Sequence, residues 1–110
     1  MSSYKSAQQI LKRQKSNDAL KIRTSFQIAR TFSNLDRHNN AIKEFESIYI
    51  DYPSSEFADD AIFEVASLNL RQLNKPENSI TLYQKLINNY PNSNHLDNAY
   101  IDLGNAYYNL

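Results

Sequence analysis

Between Phe57 and Leu73 the apolar residues Ala58, Ala61, Ile62, Val65, Ala66, Leu70 and Leu73 recur at steps of three and four, the spacing that lines one face of an α-helix. Ile80, Tyr83 and Leu86, with Leu82 and Ile87 beside them, repeat the pattern in the next segment. A further stripe, Leu96, Ala99, Tyr100, Leu103, Tyr107 and Leu110, runs along the last segment, and Tyr4, Ala7, Ile10 and Leu11 share a face near the start. The punctuation between stripes agrees with them. The tyrosine of a Tyr-Pro pair is biased away from helical backbone geometry, so a helix is expected to end near Tyr52 and another near Tyr90. Ser54 or Ser55, and Ser93, then offer side-chain oxygens to the N–H groups that open the next helix. Pro76 suits a first helical turn, where its missing N–H costs nothing. The pattern predicts six helices, at about 2–15, 17–35, 38–51, 55–73, 76–89 and 93–110.

Two of these segments are the same phrase. Shifting the chain by 38 positions lays AIKEFESIYIDYP (41–53) over SITLYQKLINNYP (79–91). Ile42 then meets Ile80, Phe45 meets Tyr83, Ile48 meets Leu86, and both copies close on Tyr-Pro. Downstream, DDAIFEVA (59–66) lies over DNAYIDLG (97–104). A repeat of this length is one helical hairpin that cannot bury its apolar face alone and stacks on a neighbour. The expected fold is therefore all-α, an αα-hairpin solenoid. Its units are a capping helix or second helix of an earlier repeat at 1–16, repeats at 17–53 and 54–91, and the first helix of an incomplete repeat at 92–110.

Tyr100-Ile-Asp-Leu103-Gly104-Asn-Ala-Tyr107 resembles the first-helix pattern of the tetratricopeptide repeat, an aromatic followed by Leu-Gly and then Tyr. Ala41-x-x-x-Phe45 with Pro53, and Ser79-x-x-x-Tyr83 with Pro91, resemble its second half. Ile28-Ala29-x-x-Phe32 fills the Leu-Gly-Tyr slots of one repeat and Val65-Ala66 those of the next, with Asn69 where an aromatic is usual. The resemblance implies a right-handed superhelix in which Ala29, Ala66 and Gly104 lie where the two helices of a hairpin come closest. The links YPSSEFADDA and YPNSNHLDNA are longer than the common unit has. That variant resembles the repeats of bacterial cell-envelope members of the family, such as the Tol-Pal system accessory protein and the outer-membrane assembly lipoprotein. It implies the periplasm or cell envelope if a signal sequence is missing, and the cytoplasm if the chain is complete as written.

Composition supports the helical reading. One Gly and three Pro in 110 residues leave little turn chemistry for a many-stranded sandwich or barrel. Cysteine is absent, which excludes disulfides, thiolate zinc sites and cysteine nucleophiles. The net charge is zero, yet residues 1–30 carry seven basic side chains against Asp18 alone. Such a dipole can orient a partner or favour head-to-tail contact between copies, and it offers weak contact to an anionic membrane. Lys12, Arg13 and Lys15 come without interleaved aromatics, which argues against a nucleic-acid partner.

Catalytic chemistry is not legible. His38 and His95 fall in predicted turns and read as exposed, no His-x-x-x-His or Glu-x-x-His pair suggests a metal, and no glycine-rich loop suggests a phosphate or cofactor. Asp59-Asp60 reads as a helix-dipole complement. The expected role is non-catalytic: a scaffold that binds a peptide or helix of another protein. In tetratricopeptide arrays the first helices line a concave groove, and the resemblance carries that groove onto Phe26, Arg30, Phe63, Ser67, Arg71, Ile101, Asn105 and Tyr108. Phe26, Phe63 and Ile101 are expected to form its ladder. Phe26 and Phe63 stand where the family's chaperone-tail version has a carboxylate-clamping lysine, which argues against that ligand. The last helix lacks its expected partner helix, so the chain reads either as a piece of a longer repeat protein or as a homo-oligomer joined through Tyr100, Tyr107 and Leu110.

Overall fold

The computed structural model describes the backbone of residues 2–110 and the side chains of residues 17–110. Five helices make up the described residues: α1 (Ser2–Asn34), α2 (His38–Asp51), α3 (Ala58–Arg71), α4 (Pro76–Asn89) and α5 (Leu96–Tyr108). Each packs on the next in the chain, and α3 also touches α5. The result is an αα-hairpin solenoid with principal extents of 61 × 30 × 18 Å.

The helix count differs from the expected six because no break forms near residue 16. The position one period before Pro53 is Lys15, and the one before Tyr52 is Gln14. With neither a proline nor a glycine there, nothing removes a backbone donor or strains the turn, and α1 runs on for 33 residues. The reading of Tyr4, Ala7, Ile10 and Leu11 as the face of a cap falls on side chains outside the described residues.

At both Tyr-Pro pairs the chain does leave the helix. Tyr52 and Tyr90 are the C-caps of α2 and α4, their N–H groups still donating to Ile48 and Leu86. The helices that follow begin at Ala58 and Leu96, three residues later than expected, because each link first makes a pair of turns. Ser55 Oγ accepts from the Phe57 N–H and Ser93 Oγ from the His95 N–H, both at 3.1 Å. Those hydroxyls thus serve the residue just before each helix rather than the helix's own first turn. Tyr90 Oη donates to the Pro53 carbonyl at 2.7 Å, so successive Tyr-Pro phrases are tied to each other along the stack.

The hairpin turns repeat with the same period. Asp36 (φ 59°) and Asn74 (φ 52°) both take the left-handed conformation. Asp and Asn tolerate it better than other side-chain-bearing residues. Pro76 opens α4, as its fixed φ favours.

The core runs down the middle of the stack. Phe45, Ile48, Ile62, Tyr83 and Leu86 are fully buried, and Ala29, Ala41, Ala58, Ala61, Ala66 and Ala99 let the helix backbones approach. Across the α3–α4 contact the Ala66 carbonyl accepts from Ser79 Oγ at 2.9 Å. Among the described residues no helix is long and apolar enough to cross a membrane.

Candidate partner-binding surface

The first helices of successive hairpins, α1, α3 and α5, carry every residue of the expected groove. Phe26 is not part of an open face. It is 9% exposed and lies between Phe45, at 5.5 Å centroid to centroid, and Phe57, at 5.2 Å. Its phase on α1 matches Ile22 and Ala29, which belong to the same buried cluster, so the ring is core rather than the first rung of a ladder. Phe63 is half-buried, edge-on to Tyr83 at 6.0 Å and stacked at 4.6 Å on His95. Of the three expected rungs only Ile101, 62% exposed, stands clear.

Arg30 and Asn105 are exposed, and Tyr108, at 91%, is the most open large hydrophobic side chain among the described residues. Ser67 and Arg71, one turn apart on α3, are joined: Arg71 Nη1 donates to Ser67 Oγ at 2.7 Å. Arg71 Nη2 reaches across to Asp102 Oδ1, also at 2.7 Å, and Tyr83 Oη donates to Asp102 Oδ2 at 3.1 Å. One carboxylate therefore ties α3, α4 and α5 together, and it fixes the Arg71 fork on the surface. Burial first, and then the Asp102 carboxylate, hold the Tyr83 phenol far above its ordinary titration range.

Both histidines depart from the exposed-turn expectation. His95 precedes α5 and is half-buried, its Nε2 donating to Asp60 Oδ1 while its ring covers Phe63. Asp60 is thus a partner of His95 as well as a first-turn acid of α3. His38 is half-buried at the start of α2, and its Nδ1 is enclosed without a hydrogen-bond partner.

Sequence reasoning passed over Asp102. Its signal was an acid in the buried phase of α5, between Ala99 and Ala106. An isolated buried carboxylate is costly enough that such a position announces a partner. The partner itself, 31 residues away, is not readable from helical spacing.

Glu64 is held above the usual carboxylate range by burial, an effect opposed by the nearby Arg30 and His95 and reinforced by Asp60. A carboxyl whose folded-state pKa is raised contributes stability that is full below its ordinary value and is lost as pH rises through the folded value. Glu64→Gln removes that loss. Thermal unfolding is expected to show a higher Tm for the variant at neutral pH, with the gain shrinking toward roughly pH 4, where both forms are uncharged.

Tyr100 and Tyr107 of α5, and Leu110 just beyond it, are 59%, 52% and 69% exposed. Gly104, expected at a close helix approach, is open: a Cβ built there meets no atom within 4 Å. Gly104→Ala is therefore expected to stabilise the chain by about 0.5–1 kcal/mol through helix propensity. A fall in the denaturation midpoint instead would reveal something packed against the glycine.

Among the described residues no three His, Asp or Glu side chains converge to hold a metal ion. No curated protein matches the chain. The family model for the tetratricopeptide repeat does match, over residues 23–55 and 60–93. Those spans cover α2, α4 and all of α3 but its first two residues, with the greater part of the second half of α1, and each ends in the link that follows a Tyr-Pro pair. Repeats of that class typically act as non-catalytic mediators of protein–protein contact. With more than half of its length matched, and with the hairpins stacked as described, the chain belongs to the tetratricopeptide repeat family.

Proposed function

We propose that this chain is a scaffold that holds an extended or helical segment of another protein against the α3–α5 surface, with Arg30 at one end. The observation that carries the reading is the Arg71 guanidinium, held in place by Ser67 and Asp102 while half of it faces solvent. A fixed arginine beside the exposed Ile101 and Tyr108 supplies the residue types that dominate binding hot spots, at little ordering cost on association. Asn105 adds amide donors and acceptors to the same face of α5.

Peptides selected from a displayed library against the intact chain test this reading. Ile101→Ser and Arg30→Ala alter exposed positions, and both are expected to weaken the selected peptides about tenfold or more while leaving the helical circular dichroism unchanged. Unchanged affinity in both variants would sink the surface assignment. Phe63 is unsuited to such a test, because its ring also packs on Tyr83 and His95. Self-association through Tyr100, Tyr107 and Leu110 competes for the same end of the stack, and a concentration-dependent sedimentation coefficient would show it. The long Tyr-Pro links support placing the scaffold in a bacterial cell envelope, which fractionation of the source cells checks directly.

A further inference from the structure

The 38-residue period lets one part of the chain show what is missing from another. Tyr107 on α5 lies across from α4, where Gln84 Nε2 donates to its hydroxyl at 3.0 Å. One period earlier Glu46 on α2 stands in the place of Gln84, and Asn69 on α3 stands in the place of Tyr107. On α1 the corresponding place in the Ile28-Ala29-x-x-Phe32 pattern is held by Phe32, 37 residues before Asn69. Asn69 is thus the one ring position of the three that has no ring.

The space shows. A cleft of about 390 Å³ lies between α2 and α4 with α3 as its floor, lined by Ile42, Glu46, Tyr49, Asn69, Thr81 and Leu82 among others. Asn69 is 6% exposed, and its Nδ2 donates to the Val65 carbonyl at 2.9 Å. Its Oδ1 meets only Asn78 Nδ2, at 3.5 Å, which is too long for a strong hydrogen bond. A buried amide oxygen short of a donor is costly, and a ligand that donates to it recovers that cost. Val65 on the floor, 2% exposed, and the Tyr49 ring on the α2 wall, 6% exposed, supply apolar lining, while the half-buried Glu46 supplies a carboxylate acceptor.

We propose that this cleft binds the side chain of a tyrosine presented by a partner protein. The ring takes the place that the Tyr107 ring takes on α5, and the hydroxyl donates to the Glu46 carboxylate or to Asn69 Oδ1. A phenol suits the site better than a phenyl group, which has nothing to donate. Because α2 and α4 form the walls, the site is separate from the surface proposed above and stands without it.

Titration of N-acetyl-L-tyrosinamide into the isotope-labelled full chain, followed by amide chemical shifts, tests the proposal. Saturable shifts at Ile42, Glu46, Asn69 and Leu82 are expected, with a dissociation constant of roughly millimolar order for a ligand of this size. N-acetyl-L-phenylalaninamide is expected to bind about five- to tenfold more weakly for want of the hydroxyl. Asn69→Phe places a ring in the cleft from within and is expected to abolish binding, with thermal unfolding confirming that the variant is folded. If that variant does not fold, Glu46→Ala serves: it removes one of the two acceptors and is expected to narrow the advantage of the tyrosine probe over the phenylalanine one, and an undiminished advantage would count against the site. Scattered or non-saturating shifts, equal affinity for the two probes, or binding that survives Asn69→Phe would overturn the proposal.

Discussion

Phe26→Ala is expected to cost about 3–5 kcal/mol of folding stability, a large share of the total that a domain of this size commands. The ring is 9% exposed and is flanked by Phe45 and Phe57, themselves part of the packing that joins α1 and α2 to the start of α3. Truncation removes the transfer free energy of the ring and leaves a hole that rigid helix backbones cannot close. Denaturant titration reads the effect as a large drop in midpoint with little change in slope. Arg30→Ala, one turn further along α1 at an exposed position, is expected to shift the midpoint by less than about 0.5 kcal/mol. The contrast decides whether Phe26 belongs to the core or to a binding surface. A small cost at Phe26 would mean that the ring is free for a partner.

Asp102→Ala is the second large effect, expected at about 2–3 kcal/mol. Loss of the carboxylate leaves the fully buried Tyr83 hydroxyl without its acceptor, and an unmet buried polar group costs about 1–3 kcal/mol. The Arg71 pair adds less, since that guanidinium is half exposed and water can replace its partner. The damage is local in origin: α5 is held by α4 and by its smaller contact with α3, and the carboxylate bridges both. Amide exchange is therefore expected to quicken first in α5, with α1 and α2 unaffected. Equal quickening in all five helices would show that the network is not the latch of the last helix.

The same network has a signature at high pH. The folded state holds the Tyr83 proton well past the ordinary tyrosine value of 10.0, and burial with help from Glu46 pushes Tyr49 to about 12. A folded-state pKa above the unfolded one means that stability is full below about pH 10 and falls as pH rises from there. Tyr83→Phe is expected to make that alkaline decline shallower.

Much of this could be read from residue order. Helical stripes, the two Tyr-Pro exits, the 38-residue period and Pro76 at a helix start are local signals, each set by a few neighbouring residues, and each is found in place. The helix starts were placed three residues early because Ser55 and Ser93 can serve either a cap or a tight turn, and local sequence does not choose between them. The expected break near residue 16 has no proline of the kind that makes the other breaks, and the helix runs through it.

Long-range placement was another matter. A stripe says which residues avoid water but not what covers them, so Phe26 and Phe63 read alike until neighbouring helices enclosed one and half-covered the other. The pairing of Arg71 with Asp102 and of Asp60 with His95, the tie from Tyr90 to Pro53, and the cleft above Asn69 all join residues far apart in the chain. Sequence by itself determined the hairpins and their repetition, because helix phase and chain exits depend on backbone chemistry within a turn or two. Only tertiary structure decided which polar groups meet and which apolar faces stay open, because those depend on the angle and register at which one hairpin settles on the next.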